Sequence, residues 1–422
     1  MFLSIFGENL VTMRYFFLFL LTLLMFSSCT ETNKREVETS SEANQQTVIL
    51  FENPTEENSQ LPRLFSNGTD LYFSWVTRKD SMDVLQYSVR TQEEWTLATE
   101  ISRGNDWFTN WADFPAIAAK DGNILANILQ KSADGTYTYD IKLNVFNSEE
   151  NTWKHNFILH DDGTQSEHGF VSILPTDEDE FFVTWLDGRD TAGKEHGGGQ
   201  MTLRGAFVDF QGNISGDTQL DNRICDCCQT SAAWTPNGPI VAYRNRSEDE
   251  IRDISVIRAL DGTWQPPITV GNDNWKIAGC PVNGPSIDAF QNTVAIAWFT
   301  AAQEEGDVMV AFSKDAGASF TQSYRIDSGN ATGRVDIVML TDKEAAVIWM
   351  QPKGDEEVIY IMKINDHGYT GVPVIVSKTS PERASGFPQL ERVGDTLYLA
   401  WTILGADKKP SIETAQIEIS LL

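Results

Sequence analysis

The strongest constraint on this chain is a strand that recurs seven times. An alternating apolar segment ends on an aromatic or large apolar residue at Trp75, Ile128, Trp185, Tyr243, Trp298, Trp349 and Trp401, with spacings of 53, 57, 58, 55, 51 and 52 residues. A period-two pattern repeated at that length marks a unit of short strands, which buries its faces by stacking on copies of itself. Each of these strands follows another, as at Pro62-Arg63-Leu64, Pro115-Ala116-Ile117, Pro285-Ser286-Ile287 and Pro388-Gln389-Leu390, across a turn with Gly, Asp or Asn. A second alternating pair comes later in each unit (VLQYSV, YDIKLNVF, DISVIRAL, VMVAFS, VIYIMKI), and a turn aromatic often follows, at Trp95, Trp153, Trp264, Phe320 or Tyr369. Four short strands per unit describe a blade, so the chain is expected to be all-β. Residues 47–422 should form a seven-bladed β-propeller, with a six-bladed ring and a two-domain sandwich as alternatives. The segment Thr47 to Phe51 (TVILF) is expected to close the ring by adding a strand to the last blade. A helical fold is excluded, because 15 prolines and 30 glycines punctuate the chain and no long stretch carries a 3.6-residue apolar period.

Ahead of the repeats, Met13-Arg14 begins a short basic start, Tyr15 to Phe26 is apolar, and the small pair Ser27-Ser28 precedes Cys29. That order is the pattern of a bacterial lipoprotein signal. Residues 1–28 are read as the signal peptide, Cys29 as the acylated residue that anchors the chain in a lipid bilayer, and 29–46 as a flexible acidic tether. Glu8 suits no signal peptide, so translation is expected to start at Met13. The expected location is the bacterial cell envelope, on the outer membrane, facing the periplasm or the exterior.

With 60 acidic against 32 basic residues the net charge is −28, which repels polyanions and excludes nucleic-acid binding. An acidic ligand is then held only where arginines gather. Four cysteines remain beyond Cys29, namely Cys225, Cys227, Cys228 and Cys280. In an exported chain an even number points to disulfides, and the Cys-Asp-Cys-Cys grouping leaves a soft-metal site, for copper or zinc, as the other reading.

Ser313-Lys314-Asp315-Ala316-Gly317-Ala318-Ser319-Phe320 matches the Ser-x-Asp-x-Gly-x-x-aromatic turn known as the Asp box, or BNR repeat, and resembles the sialidase superfamily. Over residues 60–403, blocks such as NWADFP, EHGFVS, CDCCQT, YRNRSEDEIRD, AGCPVNGP, GRVD and SGFPQL look like those of exported bacterial sialidase-like propellers. The resemblance implies a propeller of the sialidase type acting on glycans. Sialidases surround a substrate carboxylate with three arginines and use a tyrosine-glutamate nucleophile and an aspartate acid/base. Their Phe/Tyr-Arg-Ile-Pro block is not present here, and no catalytic residue is carried over.

In a propeller, loops entering the innermost strands and loops leaving the second strands share one face, where ligands bind. Asp113, His168, Tyr243 and Asp336 fall there and are the acid, base or nucleophile candidates, with turn capping and core packing as the alternatives. Arg244, Arg246, Arg252, Arg334 and Arg383, with Asn283, are the candidates for holding a carboxylate or sulfate, since guanidinium offers a planar donor fork. Interblade ion pairing is the other reading of these arginines. Taken with the resemblance, these candidates imply an exo-sialidase-like hydrolase acting on an acidic glycan and requiring no cofactor. A non-catalytic propeller that binds glycan or protein is the alternative.

Overall fold

Alternating segments separated by Gly, Asn and Asp turns pair with their immediate sequence neighbours, because short turns favour antiparallel hairpins over distant crossovers. The computed structural model describes residues 47–194 and 198–422; the signal segment, Met13, Cys29 and the tether lie outside the described residues. Among the described residues there are seven antiparallel sheets. Blade 1 runs from Ser59–Ser66 through Leu71–Lys79 and Met82–Thr91 to Thr99–Gly104. Blades 2 to 6 repeat the plan from innermost strands Ile117–Lys120, His168–Pro175, Ser231–Thr235, Ser286–Phe290 and Gly333–Met339. Blade 7 takes Gln389–Val393, Thr396–Leu404 and Pro410–Glu418 from the end of the chain and its outer strand, Ile49–Phe51, from the beginning. The architecture is a seven-bladed β-propeller, and the six-bladed and sandwich alternatives are set aside.

Hydrophobic packing shows why the blades stack into a ring. Each of seven buried clusters lies between two adjacent blades, from the seam of Ile101, Ile117 and Ile124 between blades 1 and 2 to that of Phe73, Trp75 and Ala400 between blades 7 and 1. No blade therefore buries its two faces alone. Trp75, Trp185, Trp298, Trp349 and Trp401 are fully buried in this packing, and Tyr243 holds the corresponding place in blade 4.

The tryptophans also place polar atoms. Trp75, Trp185 and Trp349 each donate from Nε1 to the side chain two residues on, Thr77, Asp187 and Gln351, at 3.1, 2.9 and 3.0 Å. The segment from Ser313 to Phe320 in blade 5 forms the expected capped turn. The Gly317 amide donates to Ser313 Oγ at 2.8 Å, the Ser319 amide donates to Asp315 Oδ1 at 2.9 Å, and Ala316 and Gly317 are left-handed at φ 52° and 79°. The turn is a folding device and carries no catalytic group.

Candidate functional site

Register fixes which loops share a face. His168 at the start of one innermost strand pairs with Asp187 at the end of the next strand, and Ser231 pairs with Ala242 just before Tyr243 and Arg244. The blocks holding Asp113, Cys225–Cys228, the 244–253 loop, Cys280–Asn283, Arg334 and Arg383 therefore lie at one end of the ring, as their shared position in the repeat predicts.

Inside the ring is a cavity of about 340 Å³ walled by the innermost strands. Of the predicted residues, Asp113 and Asp336 line it; Arg63, Asp288 and Glu391, which no sequence motif marks, line it too. Asp336 accepts from Ser286 Oγ at 2.7 Å and from the Leu390 amide at 2.8 Å, and Asp288 accepts from the Met339 amide at 2.6 Å. These carboxylates bridge blades whose innermost strands are not hydrogen-bonded to each other. Burial pushes Glu391 up to about 8, with the charges of Asp288 and Asp336 adding to it. Burial also raises Asp288, to about 6, against the amide bonds that favour its ionised form. Arg63 donates to Gln389 Oε1 at 2.9 Å, and its Nε has no protein partner.

A loop from blade 1 to blade 2 lies across the predicted mouth. Trp111 stacks on Phe387 with centroids 5.9 Å apart, Gln229 donates to the Ala112 carbonyl at 2.6 Å, and the Phe170 amide donates to Asp113 at 2.7 Å. The loop thus touches blades 3, 4 and 7 together. Gly169 permits this approach, because a Cβ there would come within 2.1 Å of Asp113 Oδ2.

Behind Asp113 stands a carboxyl pair around one phenol. The Tyr139 hydroxyl lies 3.1 Å from Asp113 and 2.8 Å from Glu167. A phenol has one proton to donate, so the second short contact requires a protonated carboxyl as donor. Burial agrees, raising Asp113 to about 7 and Glu167 to about 8. A carboxyl raised in the fold stabilises it fully below its unfolded value of about 4 and loses that contribution as pH climbs through its folded value. We expect the melting temperature to fall from pH 5 to pH 8.5, and Glu167→Gln to flatten that fall in differential scanning calorimetry. An equally steep profile in the variant would show that Glu167 does not hold the proton.

The remaining candidates are engaged elsewhere. His168 does not line the cavity: it is buried and stacked on His160 at 3.7 Å, with Nε2 3.3 Å from Asp162 and 3.8 Å from Asp187. The ligand atoms of Asp140, His160 and His168, and separately of Asp162, His168 and Asp187, lie within 4.8 Å of one another, so this cluster has the donors of a metal site. Tyr243 is also a correction. Its hydroxyl donates to Asp221 within the core between blades 3 and 4, burial raises its pKa, and it faces no cavity that a substrate enters.

The predicted arginine set is likewise corrected. Arg244 is 2% exposed and donates to the carbonyls of Asn283, Arg252 and Phe299 at 2.7–3.0 Å, with its guanidinium over Trp275. Arg246 and Arg252 both hold Glu250, at 2.8 and 2.9 Å. Arg334 is buried over Trp111, donates to Ser385 and Gly386 at 2.8 and 2.7 Å, and is lowered by burial to about 10. Asn283 accepts from the Arg334 amide at 2.7 Å and so fastens blade 5 to blade 6. Arg383 is exposed, 6.0 Å from the Trp111 ring. Interblade bracing accounts for Arg244 and Arg334, whereas Arg246 and Arg252 are spent on Glu250 of their own loop.

The cysteines gather as the sequence suggests, without a sulfur–sulfur bond. Cys225 Sγ is 3.7 Å from Cys227 and 3.6 Å from Cys228, against about 2.05 Å for a disulfide. Cys227, Cys280 and Asp226 form a second triad within 4.8 Å.

No family model matches the chain, and no curated protein sequence matches it. Among solved structures it is similar to an α-L-arabinanase of Penicillium chrysogenum complexed with arabinobiose, at 12% identity and a TM-score of 0.47, covering 89% of this chain and 98% of the other. It is similar to a protein of unknown function from Dyadobacter fermentans at 10% identity and a TM-score of 0.47, covering 88% and 98% of the two chains. A Hadza microbial sialidase is similar at 12% identity and a TM-score of 0.41, over 69% of this chain and 63% of the other.

Proposed function

We propose that the protein is an exported, membrane-anchored glycan-active hydrolase of the sialidase-like kind that takes an acidic sugar into the ring cavity. One observation carries the reading: a single cavity of about 340 Å³ is lined by Glu391, Asp288 and Arg63. At neutral pH Glu391, raised to about 8, holds a proton, and Asp288, at about 6, is ionised. Glycoside hydrolysis asks for that division of labour, a proton donor for the leaving oxygen and a carboxylate partner. Arg63 lines the same cavity and brings a guanidinium there to hold a substrate carboxylate or sulfate. Phe114, Phe387 and Trp234 add aromatic faces to the same wall. No cofactor is required for this chemistry.

The test is to offer the purified protein sialosides, uronate-containing glycans and sulfated glycans. Glu391→Gln is expected to lower kcat/KM about 100-fold, the size of a lost general acid. Arg63→Ala is expected to raise KM for acidic sugars and to leave neutral ones unaffected. Turnover untouched by either change would assign the activity to a contaminant. Binding without turnover on any sugar in the panel would make the protein a glycan-binding propeller.

A further inference from the structure

The cysteine cluster does not line the ring cavity. Cys225, Asp226, Cys227 and Cys228 form the loop that enters blade 4, and Cys280 lies on the loop that enters blade 5. The first loop is pinned where the Cys225 amide donates to the Arg244 carbonyl at 3.0 Å. Cys225 and Cys228 are buried, Cys227 is half-buried and Cys280 is exposed, so the thiols descend from solvent into the protein.

We propose that Cys225, Cys227 and Cys228, with Cys280 as the solvent-side fourth thiol, bind a soft d10 cation, copper(I) or zinc(II), through their thiolates.

Sulfur spacing is the first argument. Tetrahedral thiolate sites with metal–sulfur bonds of about 2.3 Å have sulfur–sulfur edges of about 3.8 Å. Cys225 Sγ lies 3.7 and 3.6 Å from its two neighbours, which matches such edges. One sulfur equidistant from two others suits a shared central ion, whereas a disulfide draws in one partner and leaves the other behind.

Electrostatics is the second argument. Arg252 Nη1 lies 3.2 Å from Cys225 Sγ, and Arg252 is itself only 3% exposed. The guanidinium sets a positive charge directly against this sulfur, which favours its thiolate form. A thiolate is the form that ligates a metal. Each ligating thiol releases one proton as its metal–sulfur bond forms, so binding weakens as pH falls. All-sulfur donors select copper(I), zinc or iron–sulfur centres over hard cations.

The third argument concerns access. Cys227 belongs to both ligand triads, the buried one with Cys225 and Cys228 and the outer one with Asp226 and Cys280. An ion captured at the exposed Cys280 can pass through Cys227 to the inner thiols by exchanging one ligand at a time, without leaving a sulfur donor.

The test begins with protein reduced and desalted without oxygen. It is titrated with zinc(II) alone and, in parallel, with copper(I) presented in a bicinchoninate competitor. One metal per chain is expected, with thiolate-to-metal absorption in the ultraviolet and at least three thiols protected from a thiol reagent. Cys228→Ser is expected to weaken binding at least about 100-fold and Cys280→Ser about tenfold, the smaller loss reflecting an outer ligand. Because Cys228 is buried, the half-buried Cys227→Ser, checked by far-ultraviolet circular dichroism, gives a second reading on a folded chain. Displacement of one ion by the other decides between copper(I) and zinc(II). Failure of the reduced protein to take up either metal would overturn the proposal. Disulfides joining these cysteines in protein isolated without reductant would also overturn it.

Discussion

Arg244→Met is expected to destabilise the propeller by about 3–5 kcal/mol, with a fall in melting temperature of roughly 5 °C for a domain of this size. The Arg244 guanidinium is buried where blade 4 meets blade 5 and serves the Asn283, Arg252 and Phe299 carbonyls. Among the described residues no carboxylate lies within ion-pair distance of it, so those carbonyl dipoles do the neutralising. Methionine fills similar volume but leaves three buried acceptors without a donor, each worth about 1–3 kcal/mol. Lysine keeps the charge and loses the planar fork, so Arg244→Lys should recover less than half of the loss. Chemical denaturation of the three proteins measures this, and a loss under about 1 kcal/mol in Arg244→Met would mean that water reaches the carbonyls.

Trp298→Ala should cost a similar 3–5 kcal/mol, the range for emptying a buried indole site. Trp298 is fully buried between blades 4 and 5, and Gly271 lies so close that a Cβ there would meet the ring at 2.6 Å. Its Nε1 donates to Asp273 Oδ2 at 2.8 Å. A sharper comparison uses phenylalanine. Trp298→Phe strips Asp273 of its indole donor, whereas Trp401 Nε1 has no partner to lose. Trp298→Phe is therefore expected to be more destabilising than Trp401→Phe by about 1–2 kcal/mol. Equal losses in thermal unfolding would show that packing volume alone governs the slot.

Those indoles are also why the fold could be read from sequence. A strand that ends on Trp at near-constant spacing is a pattern in one dimension, and it survives the one substitution by Ile128 and the one by Tyr243. The site is a pattern in three dimensions. Arg244, Arg246 and Arg252 look like an anion trap in sequence, but Arg246 and Arg252 close on Glu250 of their own loop, and Arg244 serves the Asn283 and Phe299 carbonyls of the next blade, which no local pattern announces. Tyr243 looks reactive as a strand-end phenol, although it occupies the repeat's own core slot. Arg63, Asp288 and Glu391 carry no such signal, because each is an ordinary polar member of an alternating strand, and only ring closure turns it inward. His168 stands out in the sequence, while Glu167 beside it does not, since its partner Tyr139 comes from another blade.

The last blade is stitched from both ends of the propeller, and Thr414 Oγ1 donates to the Phe51 carbonyl across 363 positions. Joining two points so far apart in a disordered chain costs about 5 kcal/mol of loop entropy, more than a three-residue strand recovers. Closure is therefore favourable only after blades 1 to 6 have stacked and carried the two ends together, which makes the Ile49–Phe51 pairing the last to form and the first to open. Its amides should exchange with solvent faster than those of the inner strands, and a chain cut short in its final thirty residues would present Ile49–Phe51 as an unpaired edge open to a neighbouring molecule.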